Sequence, residues 1–214
     1  MQESLATGRL IRGAACIEEG TAWLTVAEPR FAAALERTGP PPLRLRDDGF
    51  ASLLSAIVSQ QVSVASARAI WNRLDEAGLT ADAAVAAASD DALRACGLSR
   101  QKMRYARALA EARIDYPALR GAPEDEVVEI LTEIPGIGRW TAEIYAMFSL
   151  ARADTFAPGD LALQEAARLL FDLPERPRER ALREMAAAWS PWRAVAARLL
   201  WAYFHVEKDR EGIG

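Results

Sequence analysis

The sequence predicts an all-α protein. Apolar residues recur at three- and four-residue spacings along most of the chain, and good helix formers (Ala, Leu, Arg, Glu) fill the stretches between glycine and serine punctuation. No run of alternating apolar and polar residues reads convincingly as a strand. At 214 residues and 51% hydrophobic content the chain is long and apolar enough to bury a substantial core.

The helical pattern is under way around Thr21 to Leu35. The spacing predicts helices over about 29–38, 48–60, 63–77, 81–87, 90–96, 100–115, 124–133, 139–150, 161–171, 177–188 and 191–206. Ser63, Ser89 and Ser99 are placed to open helices, because a serine hydroxyl can accept an N–H of the first turn. Gly39, Gly78 and Gly97 are placed to close them. The stretch GPPPLRLRDDG, from Gly39 to Gly49, cannot continue a helix and reads as a crossing linker. There is no internal repeat and no low-complexity tract beyond alanine-rich helical faces.

The most informative run is LTEIPGIGRWTAEIYAMF, from Leu131 to Phe148. One helix, with Val127, Val128, Ile130, Leu131 and Ile134 at helical spacing, stops at Pro135, which cannot donate to the preceding turn. Gly136 and Gly138 permit a tight reversal, and a second helix starts near Arg139 with Trp140, Ile144, Met147 and Phe148 on its apolar offsets. Its outward N–H groups and positive dipole end suit an anion, and bare glycines let a phosphate approach. Taken alone, PGIG fits an ordinary helix hairpin equally well.

Downstream, Pro158 and Gly159 break the chain and Asp160 stands just before Leu161, Leu163, Leu169 and Leu170, the position of an N-cap. The plain alternative is capping alone. A carboxylate at a helix start is also held ionised by amides and dipole, which suits a group meant to face developing positive charge.

These residues resemble the helix-hairpin-helix DNA glycosylases with a Gly/Pro-rich loop and catalytic aspartate, the HhH-GPD superfamily, and within it the 3-methyladenine DNA glycosylase II branch. The resemblance runs from about Phe50 to Trp201, through FASLLSAIVSQQVSVASARAIWNRL, GLSRQKMRYARALAEA, the hairpin and aspartate, and WSPWRAVAARLLW, in the family's order. It implies a base-excision repair enzyme that flips alkylated bases such as 3-methyladenine out of duplex DNA and hydrolyses the N-glycosidic bond. It implies Asp160 as the catalytic residue, and Gly136, Gly138, Arg139 and Thr141 as the grip on the DNA backbone. Trp140, Ile144 and Trp189 would form the base pocket, with plain core packing the alternative for each tryptophan. Gln61 would be the wedge that fills the vacated space; otherwise Gln60 and Gln61 merely end one helix before Ser63 caps the next.

Family members that also cut the strand carry a lysine two residues after the second hairpin glycine, where this chain has Trp140, so lyase activity is not expected. Relatives with an iron–sulfur cluster hold it with four C-terminal cysteines, whereas Cys16 and Cys96 are the whole complement here and rule that cluster out. The resemblance implies no required cofactor, and a monovalent cation (Na or K) on the main-chain carbonyls of Thr132, Ile134 and Ile137. It also implies two lobes: a central one over 50–155 carrying the hairpin, a second from 1–49 plus 156–214, the active site at their junction, and no N-terminal sheet domain of the kind larger relatives have.

The expected partner is double-stranded damaged DNA, met by a monomer. With 26 Lys plus Arg against 30 Asp plus Glu the net charge is −4, unusual for a DNA binder. Local clusters could serve instead, with Arg100, Lys102, Arg104 and Arg107 on one helix and Arg193 beside Trp192. His205, the sole histidine, lies late in an apolar helix as a packed or surface residue. Two distant cysteines, no run of membrane-spanning length and no hydrophobic signal core fit a cytoplasmic, nucleoid-associated protein without a membrane partner. A non-catalytic helix-hairpin-helix DNA-binding scaffold is the alternative.

Overall fold

A computed structural model describes residues 7–210 of the chain. The described residues contain no β-strand, and one isolated antiparallel bridge joins Leu10 to Arg152. They divide into two compact units, one formed by the residues up to 45 together with those from 146 onward, the other by residues 46–145. The boundaries thus lie at 45/46 and 145/146, where the sequence suggested 49/50 and 155/156. The physical reason is that Ala146, Met147 and Phe148 are buried with the C-terminal helix, whose Arg198 donates to the Met147 carbonyl at 3.4 Å.

The first unit holds α1 (Ala14–Ala27) and α2 (Arg30–Thr38). The second holds α3 (Phe50–Ser59), α4 (Val64–Glu76), α5 (Asp82–Ala87), α6 (Asp90–Ala95), α7 (Arg100–Glu111), α8 (Tyr116–Gly121), α9 (Glu124–Thr132) and most of α10 (Arg139–Phe148). The chain then returns to the first unit with α11 (Leu161–Leu170), α12 (Glu179–Ala186), a 3₁₀ turn (Ala187–Trp189) and α13 (Arg193–Arg210).

Helix starts obey the serine signals. Ser63, Ser89 and Ser99 accept the N–H groups of Ser66, Ala92 and Lys102 respectively. Two helices escape the periodicity. In α1 the stripe is weak and no side chain caps the start; Gly20 is there because an added Cβ would come within 2.8 Å of Trp192. The short α8 opens with Asp115 accepting from Ala118 and carries a proline in its first turn, where the missing N–H costs nothing. The segment expected to be helical over 100–115 ends at Glu111 instead.

In the first unit α13 packs on α2, α11 and α1, burying Leu24, Phe31, Leu163, Leu170, Leu199 and Leu200. Arg198 is buried in this core and its guanidinium donates to the carbonyls of Leu43 (3.1 Å) and Ala194 (2.8 Å), so it ties the proline-rich segment to α13. Burial, with Arg44 nearby, lowers its pKa to about 10. In the second unit α7 packs on α3 and α5, around Leu53, Leu54, Ile57, Met103, Ala106 and Leu109.

Candidate active site

Asp160 is the N-cap of α11. Its backbone is extended at φ −72° and ψ 122°, and Oδ1 accepts the N–H groups of Ala162 (2.9 Å) and Leu163 (3.0 Å). The Pro158–Gly159 break delivers it there, with Gln164 Nε2 donating to the Pro158 carbonyl at 2.8 Å to hold the loop. The carboxylate is half-buried, neither sealed inside nor splayed into solvent. Trp201 Nε1 donates to the same Oδ1 at 3.2 Å. The Trp201 ring is fixed by stacking on Phe148 (centroids 5.7 Å apart, 30° between planes), and the Arg198 guanidinium lies 4.6 Å from the Phe148 centroid. Three N–H dipoles thus converge on Oδ1 and hold the carboxylate in place.

Nothing in the sequence around Trp201 marks it for the site. Trp189, expected in the base pocket, instead packs in the core: it is 2% exposed, with Phe31, Phe156 and Phe171 around it at centroid distances of 5.3, 5.4 and 5.7 Å. The two tryptophans stand at the two ends of one motif, WSPWRAVAARLLW.

In the second unit, α9 stops at Thr132 and the chain reverses through Gly136, which adopts φ 96°. A Cβ there would lie 2.4 Å from Cγ of Tyr105, so glycine is demanded both by conformation and by the ring above it. Gly138 differs: an added Cβ would meet nothing within 4 Å, so the protein's own packing gives no reason for a bare position. The N–H of Ile137 returns to the Ile134 carbonyl at 3.0 Å, and α10 begins at Arg139. Gln60 Nε2 donates to the Gly136 carbonyl at 2.8 Å, and Gln61, exposed, sits at φ 56°, a conformation a non-glycine residue rarely holds. Gln60, Gln61, Gly136 and Gly138 line one concavity of about 680 Å³.

Trp140 is 47% exposed and shares a groove of about 610 Å³ with Ile144, Thr141 and Trp71. Trp71, on α4, lines the groove although nothing in its local sequence marks it for a site. Thr141 is 8% exposed.

Of the basic run on α7, Lys102 and Arg107 are committed within the protein, whereas Arg100 and Arg104 are exposed. Lys102 is 9% exposed and donates to the Val58 carbonyl at 2.6 Å, and burial lowers its pKa. Arg107 binds Asp90 (2.7 Å) and the Ala88 carbonyl (2.8 Å), Arg193 grips Asp154 through two nitrogens (2.8 and 3.0 Å), and Arg139 donates to buried Glu143 at 3.0 Å. Among the described residues no group of three His, Cys, Asp or Glu side chains could hold a metal ion, and no helix is long and apolar enough to cross a membrane.

An all-helical body that presents a glycine hairpin and, separately, a capping aspartate held by an indole defines the helix-hairpin-helix class of DNA-repair fold. Residues 54–193 match the HhH-GPD superfamily of base excision DNA repair proteins, and the chain belongs to that family. It is 32% identical over 165 residues to DNA-3-methyladenine glycosylase 1 of Schizosaccharomyces pombe, covering 73% of this chain and 72% of the relative. Its fold is similar to the crystal structure of a DNA-3-methyladenine glycosidase from Bacillus halodurans (35% identity, TM-score 0.79, covering 87% of this chain and 89% of that one). It is also similar to the S. pombe 3-methyladenine DNA glycosylase in complex with abasic DNA (29% identity, TM-score 0.74, 86% and 95% covered).

Proposed function

We propose that this base excision repair protein is a monofunctional DNA glycosylase that flips alkylated bases such as 3-methyladenine from duplex DNA and hydrolyses the N-glycosidic bond. The observation that carries the reading is the half-buried carboxylate of Asp160, held through Oδ1 by two helix amides and the Trp201 indole. The S. pombe relative solved with abasic DNA supports a DNA partner.

Methylation at a ring nitrogen leaves the base cationic and already a good leaving group, so little general acid is needed. As the bond from C1′ to the base lengthens, its electron pair goes to the base, which departs neutral, and positive charge builds on the sugar. Asp160 stabilises that charge and orients the water whose oxygen bonds to C1′, taking up the proton the water sheds. Gly136, Gly138, Arg139 and Thr141 hold a backbone phosphate through the N-terminus of α10, Trp140 and Ile144 wall the extruded base, and Gln61 occupies the gap. Without a lysine at the Trp140 position no Schiff base forms and the strand stays intact. Thr132 closes α9 while Ile134 and Ile137 lie in the turn that follows, and all three line one concavity; main-chain carbonyls there would suit a monovalent cation, which would add positive charge beside the phosphate. Its monomeric state and nucleoid setting are part of the same proposal.

The test is single-turnover release of 3-methyladenine from methylated duplex by the wild type and Asp160→Asn. An asparagine oxygen still caps α11, so the variant folds, and base release falls about 10²-fold or more. An inert wild type that nonetheless binds duplex would instead indicate a scaffold.

A further inference from the structure

One helix fixes the interval between the Gln61 turn and the hairpin. Lys102 and Tyr105 stand one turn apart on α7 and reach different elements. The Lys102 ammonium donates to the carbonyl of Val58, two residues before Gln60, at 2.6 Å. The Tyr105 ring covers Gly136 so closely that a Cβ there would lie 2.4 Å from its Cγ. Gln60 closes the third side, donating to the Gly136 carbonyl at 2.8 Å.

Lys102 has exchanged water for a carbonyl at the end of α3, where the helix dipole favours a cation. Lys102 is 9% exposed and Val58 1%, so although Lys102 lines the concavity shared by Gln61 and the hairpin glycines, its ammonium is committed to a buried carbonyl. Flipping demands that the backbone be gripped at one point while the vacated stack is filled at another. Slack of about 1 Å between two such elements is enough to lose the productive geometry.

We propose that Lys102 is a positioning residue for base flipping, holding the end of α3 so that the Gln61 wedge and the phosphate-gripping hairpin keep a fixed separation. This rests on the glycosylase reading above. Lys102→Met keeps the stem and removes the donor; Gln60→Ala removes the second tie and stands in should the first variant fail to fold. Three quantities are compared with wild type: the fluorescence rise of 2-aminopurine beside a lesion, single-turnover excision from paired and from mismatched duplexes, and the salt dependence of binding to undamaged duplex.

Either variant is expected to lose about 10- to 100-fold in excision from the paired duplex, together with the fluorescence rise. A mismatched lesion, which costs less to extrude, recovers most of the rate. The salt slope stays that of wild type. A slope shallower by about one marks Lys102 as a phosphate contact and overturns the proposal. Unchanged excision from paired duplex, or equal losses on both duplexes, overturns it too. A wild type that neither unstacks nor excises defeats the glycosylase reading itself, whereas a competent wild type with indifferent variants defeats the positioning role alone.

Discussion

The indole N–H of Trp201 and the carboxylate of Asp160 meet at 3.2 Å, on the same oxygen that the α11 amides already hold. The carboxylate is therefore restrained from two directions, one local to its own helix and one delivered by α13, forty-one residues downstream. Trp201→Phe keeps a ring against Phe148 and deletes the donor. Losing the orientation of the carboxylate should lower single-turnover base release about 10- to 100-fold, and the lost hydrogen bond to a charged group, about 1.5–3 kcal/mol, should also lower the thermal midpoint by several degrees. Release at the wild-type rate would show that the indole does not orient Asp160.

The two hairpin glycines should separate stability from binding. Gly136→Ala forces a side chain into a left-handed backbone and against Tyr105, and urea unfolding should register a loss above about 2 kcal/mol. Gly138→Ala meets nothing in the protein, so its stability should stay within about 1 kcal/mol of wild type. Its affinity for duplex DNA should nonetheless drop about 10-fold, because the methyl stands where a phosphate must approach. Full affinity in Gly138→Ala would remove the hairpin amides from the interface.

Trp189 and Trp140 should respond in opposite ways. Trp189→Ala empties the cluster of Phe31, Phe156 and Phe171 and should cost about 3–5 kcal/mol in chemical denaturation. Trp140→Ala removes a ring that is 47% exposed and should leave the melting profile nearly unchanged while raising the KM for methylated duplex. A Trp140 variant that excises normally would take that ring out of the pocket.

Alkaline pH should weaken the unit spanning residues 46–145. Burial raises the Tyr145 phenol to about 12, and raises Tyr116 as well. Both stay protonated in the folded chain where an unfolded tyrosine ionises near pH 10, so the unfolded state binds fewer protons and stability falls as pH climbs from about 10 toward 12. Below pH 10 the contribution is intact. Tyr145→Phe should flatten the slope in that window, yet cost about 1 kcal/mol at neutral pH because the Gly49 N–H, 2.8 Å from the phenol oxygen, loses its acceptor. An unaltered alkaline slope in that variant would contradict the assignment.

What could be read from the sequence is what short-range chemistry decides. The stop at Pro135, the reversal through Gly136 and the capping by Ser63, Ser89, Ser99 and Asp160 each depend on a few adjacent residues, and the structure places them as expected. What could not be read depends on partners distant in the chain. Gly20 inside α1 makes sense only once Trp192 is seen against it, and periodicity alone gives that helix no strong face. Trp189 and Trp201 are equally large and equally apolar on paper; packing buries one among three phenylalanines and turns the other toward Asp160. The basic run of α7 could serve DNA or simply solvate a helix face, and charge on paper does not say which cations are committed: Lys102 and Arg107 are spent on Val58 and Asp90, while Arg100 and Arg104 are exposed.

Those commitments shape how such a protein would meet a chromosome. With Arg139, Arg107 and Arg193 each engaged by an acid of the same chain, and −4 overall, a collision with intact duplex displaces few condensed counterions. Visits would be brief and little affected by ionic strength, the opposite of long tracking along a groove. Residence time would be set by the lesion: a methylated ring carries its own positive charge and slips from the stack more readily than its neighbours, so patrol ends where the damage holds it.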